Sequence, residues 1–560
     1  MTAPILPLAS PRLIIDDLRV ALPKGADRPF ALNGISLTVG ADEIVCLVGE
    51  SGSGKSMTAG AIMRLLGPST PITGGRILLE GVDLLGLSEA AMRAVRGARV
   101  GMIFQEPMTA LNPLHTIGDQ IGETFRTHGT LGRAEIERRV LDLLAEVLIP
   151  DPAAAAKAYP HELSGGQRQR AMIAMALALE PALLIADEPT TALDVTTQAQ
   201  ILALIRDLQR RKGTGVLFVT HDFGVVAEIA DRVAVMRGGE VVEEGTAAQV
   251  LNHPLHPYTR ALIAAVPPLV PAPPRPVTGP PLLRVEGLSK TYRSGGFFGR
   301  GGRVTHAVKD VSFTLRRGAT LGIVGESGSG KSTLARCVVR LLTSESGSIH
   351  LGDIDLSALT DNDWHRESRR VQMVFQDPYG SLNPRRRVGE LVAQGPIVRG
   401  APRREVEARV RELFALVGLD PKAVDRFPHE FSGGQRQRIG LARALALDPD
   451  VLVADEAVSA LDVSVQAQVL ALLADLRERL NLSVLFITHD LRVAGQIADD
   501  ILVMKDGAVV EAGPTARVFA DPHHPYTKTL MAAVPGRAWM PPVTAADLRA
   551  DDPAPVPLGL

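Results

Sequence analysis

The chain contains itself twice. CLVGESGSGKS (Cys46–Ser56) returns as GIVGESGSGKS (Gly322–Ser332), and LSGGQRQR (Leu163–Arg170) returns as FSGGQRQR (Phe431–Arg438). LIADEPTTALDV (Leu184–Val195) returns as LVADEAVSALDV (Leu452–Val463), FVTHD as FITHD, and HPYT (His256–Thr259) as HPYT (His524–Thr527). From the SGGQ segment onward the copies lie a constant 268 residues apart, whereas Lys55 and Lys331 are 276 apart, so the second copy is slightly shorter in its first half. Solenoid repeats run to about 20–50 residues, so a period this long marks a duplicated domain. Length alone, 560 residues, suggests three to four domains of about 150 residues each. The repeat resolves this into a first domain over 1–266, a linker over 267–281, a second domain over 282–540 and a tail over 541–560.

Composition narrows the class. Sixty basic residues against 62 acidic give a net charge of -2, which excludes a chain-wide basic field for nucleic acid but not a local patch. Cys46 and Cys337, the two cysteines, cannot build a disulfide framework, an iron–sulfur cluster or a cysteine-rich zinc site. Both read as small buried hydrophobes, and a reducing compartment fits them. No apolar run nears the roughly 20 residues of a membrane span; Ala171–Ala186, the longest candidate, is broken by Glu180 and Pro181. The N-terminus lacks a basic region ahead of its apolar residues and does not read as a secretory signal. These features predict a soluble, intracellular, multidomain chain.

Between the copies, PPLVPAPPRPVTGPP holds eight prolines in fifteen residues. At about 3 Å per residue in an extended polyproline conformation, it could span roughly 45 Å and serve as a semi-rigid spacer that lets two domains face each other. The last twenty residues hold five prolines and little apolar periodicity, and read as a disordered tail.

Within each copy, short runs of Val, Ile and Leu alternate with helical patterns, the signature of an α/β fold with a parallel sheet. Ile44–Val48, Leu183–Ala186 and Val216–Thr220 are strand candidates; a helix is expected from about Lys55, and another buries Ile201, Leu204, Ile205 and Leu208 at helical spacing. Just past the strands stand Lys55, then Asp187 and Glu188, then His221. Ligands of open parallel sheets bind at the strands' carboxyl ends.

Gly49, Glu50, Ser51, Gly52, Ser53, Gly54, Lys55 and Ser56 satisfy G-x-x-x-x-G-K-[ST], as do Gly325, Glu326, Ser327, Gly328, Ser329, Gly330, Lys331 and Ser332. Backbone N–H groups of such a loop turn inward on phosphate oxygens; the lysine reaches the β and γ phosphates, and the serine hydroxyl ligates Mg²⁺. Asp187 would hold the magnesium hydration shell, and Glu188 would orient or deprotonate the attacking water; Asp455 and Glu456 repeat them. A solvated strand-end turn is the alternative for such a pair. His221 and His489 each follow their glutamate by 33 residues, an interval that favours a γ-phosphate contact over a capped strand-end histidine.

Ser164 reads as a helix N-cap before a helical run beginning near Arg168, with Gly165, Gly166 and Gln167 presenting backbone donors to an anion. Ser432, Gly433, Gly434 and Gln435 repeat it. Each copy already owns a phosphate loop, so a second anion-seeking terminus calls for another nucleotide. Head-to-tail pairing satisfies this: Ser164 completes the site begun by Lys331, and Ser432 the site begun by Lys55.

With these motifs assembled, the chain resembles two fused ATP-binding cassette (ABC) subunits over nearly its whole length. The resemblance implies two tandem P-loop NTPase domains, each a RecA-like parallel-sheet core with an antiparallel β subdomain and a helical subdomain. It makes GESGSGKS the Walker A motif, LLIADE the Walker B, SGGQ the signature, and Thr191–Asp194 and Ser459–Asp462 the D-loops. It makes His221 and His489 switch histidines, and Gln105 (FQEP) and Gln376 (FQDP) the Q-loop glutamines that sense Mg²⁺. Glu188, Glu456 and the two histidines are then the catalytic set; ATP and Mg²⁺ are the implied ligands, the metal being held by Ser56, Gln105, Asp187, Ser332, Gln376 and Asp455, partly through water.

ALNP and SLNP, YPHELSGGQRQR and FPHEFSGGQRQR, and the trailing HPYT segments are similar to the oligopeptide/dipeptide/nickel importer subfamily, including the fused ATPases of microcin-C-type and glutathione-type peptide importers. That implies two integral-membrane permease partners, indirectly an extracytoplasmic substrate-binding protein, no nucleic acid, and a peripheral position on the cytoplasmic face of the inner membrane. Nickel or sugar import, or a tandem-cassette translation or nucleic-acid factor, are the competing readings.

The chain departs from the family pattern in places. Tyr292 fits the aromatic that stacks on adenine, but Leu22 stands at the matching position of the first copy, so adenine packing there is weaker or Phe30 substitutes. No cysteines trail the cassettes, so no metal cluster is expected. DEAVS replaces DEPTT in the second copy, a change expected to be neutral. Arg385, Arg386 and Arg387 read as a solvated basic face before a lipid or permease contact.

Overall fold

The computed structural model describes residues 11–191, 193–293, 304–459 and 461–542. Nearly all of the tail expected from 541 onward, and Ala192 and Ala460 inside the two D-loop motifs, lie outside the described residues. The chain divides into two compact units, the first built chiefly from residues before 267 and the second from Pro267–Val534.

Each unit repeats one plan. In the first, a six-stranded sheet runs in the order Glu240–Thr246, Arg232–Arg237, Ile44–Val48, Gly215–Thr220, Leu183–Asp187, Val100–Ile103. Every neighbouring pair is parallel except the edge strand Glu240–Thr246, which runs antiparallel to Arg232–Arg237. A separate four-stranded sheet, ordered Phe30–Val39, Leu13–Ala21, Ile72–Leu79, Val82–Asp83, is antiparallel throughout. The second unit builds the same two sheets, its larger one ordered Val371–Val374, Val451–Asp455, Ser483–Ile487, Thr320–Val324, Asp500–Lys505, Ala508–Pro514.

The inner parallel strands are buried at every position in Ile44–Val48, Leu183–Asp187 and Gly215–Thr220, because both faces of the sheet are covered. Alternation along each strand divides the core between two layers. In the second unit Val451, Val453, Leu485 and Ile487 pack toward the antiparallel sheet. Leu452, Ala454, Val484 and Phe486 pack with the helical layer instead.

That helical layer is inserted between the Val100–Ile103 and Leu183–Asp187 strands. It contains Ile117–His128, Arg133–Glu146 and Gly165–Leu177, with Val388–Val398, Arg403–Leu416 and Gly433–Leu445 as counterparts. Arg133–Glu146 buries Ile136, Val140 and Leu144, one stripe of an otherwise charged helix. Among the described residues no helix is long and apolar enough to cross a membrane. Cys46 and Cys337 are both buried.

The proline-rich run, expected to be a semi-rigid spacer, is hydrogen-bonded along the second unit. Its carbonyls accept from Arg492 (Pro267 O, 3.3 Å) and Gln496 (Pro268 O, 3.1 Å; Val270 O, 2.8 Å), and Ala272 N–H donates to Gly495 O. Arg275 then forks onto both Asp499 carboxylate oxygens at 2.7 Å. Proline removes backbone donors but leaves strong acceptors, and the Leu491–Ile497 helix supplies the side chains that use them.

Candidate functional site

The order of the large sheet decides which motifs can meet. In the first unit the strand before the phosphate loop lies between Gly215–Thr220, which ends at His221, and Arg232–Arg237. The strand ending in Asp187 lies one place further, beyond Gly215–Thr220. All these strands open at the same edge, as does Val100–Ile103, which leads to Gln105.

At the phosphate loop, Gly49 sits at φ 151°, and a Cβ there would lie 2.3 Å from the Met236 carbonyl oxygen. Gly325 repeats this against Met504, at 2.2 Å. Only glycine lets the loop leave the strand so close to its neighbour. Lys55, nearly buried, donates from Nζ to the carbonyls of Gly49 (2.6 Å) and Glu50 (2.9 Å). Lys331 does the same to Gly325 (2.7 Å) and Glu326 (2.8 Å), and burial holds its pKa below the ordinary lysine value.

Ser56 Oγ donates to Asp187 Oδ1 at 3.1 Å, and Ser332 to Asp455 at 2.9 Å. Burial pushes both carboxyls above the usual aspartate range, against the pull of the serine hydroxyls. A hydroxyl facing a carboxylate is an all-oxygen donor pair, the chemistry a hard divalent cation prefers.

The next residue of each pair is shaped differently. Glu188 and Glu456 both have φ 47°, in the left-handed region that glutamate seldom occupies. That turn swings the carboxylate toward its neighbours. His221 Nδ1 lies 3.1 Å from Glu188 Oε1, and Gln105 Nε2 donates to Glu188 Oε2 at 3.0 Å. In the second unit His489 Nδ1 stands 3.4 Å from Glu456 Oε1, and Gln376 Nε2 donates to Glu456 Oε2 at 2.7 Å. Burial alone would raise Glu188, but His221, Lys55 and Thr191 outweigh it and hold the carboxyl at about 2. Glu456 is likewise lowered against its burial by His489 and Lys331. Burial disfavours charge on His489, yet the bond to Glu456 raises its pKa above the ordinary histidine value. Each unit thus brings lysine, serine, aspartate, glutamate, glutamine and histidine to one sheet edge.

The two units differ at one hydroxyl. Thr191 Oγ1 donates to Glu188 Oε2 at 3.0 Å, whereas the matching Ser459 donates to the backbone carbonyl of Glu456. The change from DEPTT to DEAVS, expected to be neutral, keeps a hydroxyl at this position, but it donates to the backbone and the second glutamate's carboxylate has one donor fewer. A hydroxyl three residues after a strand-end glutamate was the available signal.

The signature helices begin earlier than their periodicity suggests, at Gly165 and Gly433 and not near Arg168. Ser164 is the N-cap: its Oγ accepts from Gln167 N–H, and Gln167 Oε1 accepts from Ser164 N–H, a reciprocal capping box. Ser432 and Gln435 repeat it. Gly166 is required by packing, since a Cβ there would lie 2.8 Å from Thr197 Cγ2, and at Gly434 it would lie 2.2 Å from Val465 Cγ1.

Tyr292 is 40% exposed, with its hydroxyl 3.5 Å from Thr333 Oγ1 beside the second phosphate loop. Leu22 instead packs against the core of the first unit. In that unit Arg28 donates to the Gly52 carbonyl of the phosphate loop, a contact that no motif signals.

The family model described as ABC transporter matches residues 32–191 and again 308–459. The model for the oligopeptide/dipeptide transporter C-terminal region matches residues 242–286 and 510–539. The chain is 50% identical to the peptidoglycan transport ATP-binding protein YejF of Agrobacterium fabrum, over 93% of this chain and 96% of that one. It is 48% identical to the glutathione import ATP-binding protein GsiA of Shigella boydii and 47% identical to GsiA of Escherichia coli, in both cases over 93% of this chain and 89% of the relative.

Proposed function

Because this chain belongs to the ABC transporter family and carries two of its ATP-hydrolysing cassettes, we propose that it is the motor subunit of a membrane importer for di- or oligopeptides or peptide-like compounds. The observation that carries the hydrolytic half of this reading is the double convergence of lysine, aspartate, glutamate, glutamine and histidine on one sheet edge in each unit. The transport half is supported by the duplicated oligopeptide/dipeptide C-terminal region and by relatives named for glutathione and peptidoglycan transport.

Lys55 and Lys331 meet the β and γ phosphates of ATP, and the N–H groups of Gly49–Ser56 and Gly325–Ser332 surround the phosphate oxygens. Glu188 and Glu456 orient the attacking water. A carboxyl held near 2 stays ionised at any physiological pH and accepts a hydrogen bond from water more readily than it takes the proton. Gln105 and His221, with Gln376 and His489 in the second unit, keep those carboxylates aimed. Mg²⁺ fits the oxygen pairs Ser56–Asp187 and Ser332–Asp455, with Gln105 and Gln376 on the adjacent glutamates as further candidates to hold it, and when bound it would neutralise charge on the transferred phosphate. Two permease subunits receive the motion, the chain sits peripherally on the cytoplasmic face, and an extracytoplasmic binding protein delivers the cargo.

The test is uptake in cells lacking this chain, given radiolabelled tripeptide, glutathione, nickel or maltose. Loss confined to the tripeptide or glutathione, restored by the wild-type chain, is the expected result. Loss of nickel or sugar uptake with peptide uptake intact would move the assignment to that cargo, and recovery of ribosomes in place of permeases in a pull-down would contradict it.

A further inference from the structure

The His-Pro-Tyr segment has so far served only as a mark of kinship, yet in both units each of its residues has a mechanical task. The Glu243 carboxylate, on the antiparallel edge strand, accepts from the N–H groups of Leu255 (2.7 Å) and His256 (3.1 Å), fixing the chain ahead of the motif. His256 is the N-cap of the Pro257–Ala264 helix, its Nδ1 accepting from Tyr258 N–H at 3.1 Å, and Pro257 takes the first helical position, where no N–H is needed. Tyr258 is thereby driven inward, 4% exposed, with the Arg237 guanidinium 4.9 Å from its ring centroid.

Its hydroxyl ends on the phosphate loop. Tyr258 Oη accepts from Glu50 N–H at 3.3 Å and donates to Glu50 Oε2 at 3.1 Å. The second unit repeats the arrangement from different flanking residues. Glu511 accepts from His523 and His524 N–H (2.9 and 3.1 Å), His524 Nδ1 accepts from Tyr526 N–H (3.1 Å), Lys505 Nζ lies 4.8 Å from the ring centroid, and Tyr526 Oη accepts from Glu326 N–H at 3.0 Å. The cation changes from arginine to lysine while the hydroxyl's target stays the same.

The target matters because the same residue's carbonyl holds the lysine. Glu50 O accepts from Lys55 Nζ, and Glu326 O from Lys331 Nζ. Lys55 Nζ also donates to the Gly49 carbonyl (2.6 Å) and Lys331 Nζ to the Gly325 carbonyl (2.7 Å), so the Gly49–Glu50 and Gly325–Glu326 peptides are each held by tyrosine at the N–H and by lysine at the C=O, and hydroxyl, loop peptide and ammonium form one chain of hydrogen bonds. On its other side the loop's first glycine abuts the Met236 or Met504 carbonyl, so the loop is gripped where it leaves its strand.

We infer that Tyr258 and Tyr526 are positioning residues of the two nucleotide sites, through which the C-terminal segment of each cassette sets the conformation of its phosphate loop and so the affinity for ATP. The inference rests on reading Gly49–Ser56 and Gly325–Ser332 as phosphate loops. A hydroxyl that only filled space would affect stability without touching nucleotide affinity.

The experiment uses the full chain with Y258F, Y526F and both together, which keep the ring and its cation and remove only the hydroxyl. Calorimetric titration with ATP gives Kd, steady-state hydrolysis gives KM and kcat, and hydrogen exchange reports the Glu50 and Glu326 amides. Loss of the hydroxyl's bond to the loop N–H predicts Kd and KM about three- to tenfold higher per altered site, kcat within about twofold, and faster amide exchange in the loop. Unchanged Kd and KM would overturn the inference, and so would a lowered melting temperature with unchanged Kd, the pattern of a purely structural hydroxyl. A wild-type chain that failed to bind ATP would overturn the phosphate-loop reading itself, a result distinguishable from either of these.

Discussion

Glu188 and Glu456 share a left-handed backbone and a histidine partner, but not the same set of donors. Thr191 places a third hydrogen bond on Glu188, and no such bond comes from Ser459 to the Glu456 carboxylate. With the second site silenced by E456Q, T191V is expected to lower the remaining turnover about three- to tenfold, the effect of one hydrogen bond to a buried carboxylate. S459A in an E188Q background is expected to stay within about twofold; equal effects at the two sites would refute the asymmetry. The histidine partner adds a pH dependence. The pKa of His489 is raised in the folded chain, so its bond to Glu456 stabilises fully below the unfolded value of 6.5 and fades as pH rises through the folded value. Melting temperatures of wild type and H489Q should therefore differ most near pH 6 and converge toward pH 9. Among single residues the sequence was most legible in which ones meet at the sheet edge, as with Lys55, Asp187, Glu188 and His221. It was least legible where a contact joins residues far apart in the chain: Tyr258 reaches Glu50 across 208 positions, and only the twofold recurrence of HPYT hinted that it had work to do.

The strands showed themselves in the sequence because parallel strands covered on both faces read as unbroken Val, Ile and Leu. Ile44–Val48 has the anticipated limits, and Leu183–Asp187 runs one residue past them. Their order in the sheet did not show, since the strand beside the phosphate-loop strand is distant in sequence and nothing local specifies it. The start of the signature helix was misplaced because glycines disfavour helix and carry no apolar period, yet the capping box of Ser164 and Gln167 starts the helix at Gly165 regardless. Gly434 is then a packing requirement in its own right. G434A would press a methyl against Val465 and is expected to lower stability by about 1–3 kcal/mol, read by denaturation, with V465A in the same chain recovering most of the loss. Failure of V465A to rescue would show that Gly434 is needed for some other reason.

The whole chain is two similar units, and the proline-rich run between the motif sets is bound along the second. Arg275 anchors it through both oxygens of Asp499, which is largely buried, and through the Gly318 carbonyl. R275A should destabilise the second unit by about 1–3 kcal/mol, because Asp499 loses its charged partner; a melting profile unchanged from wild type would restore the spacer view that composition suggested. We propose that both units are working ATPases whose strand-end glutamates aim the attacking water. Steady-state ATP hydrolysis by the full chain carrying E188Q and E456Q together, with ATP affinity measured in the same preparation, tests this. Hydrolysis reduced by about 10²-fold or more with binding retained is the expected result; turnover near that of the wild type would contradict the account.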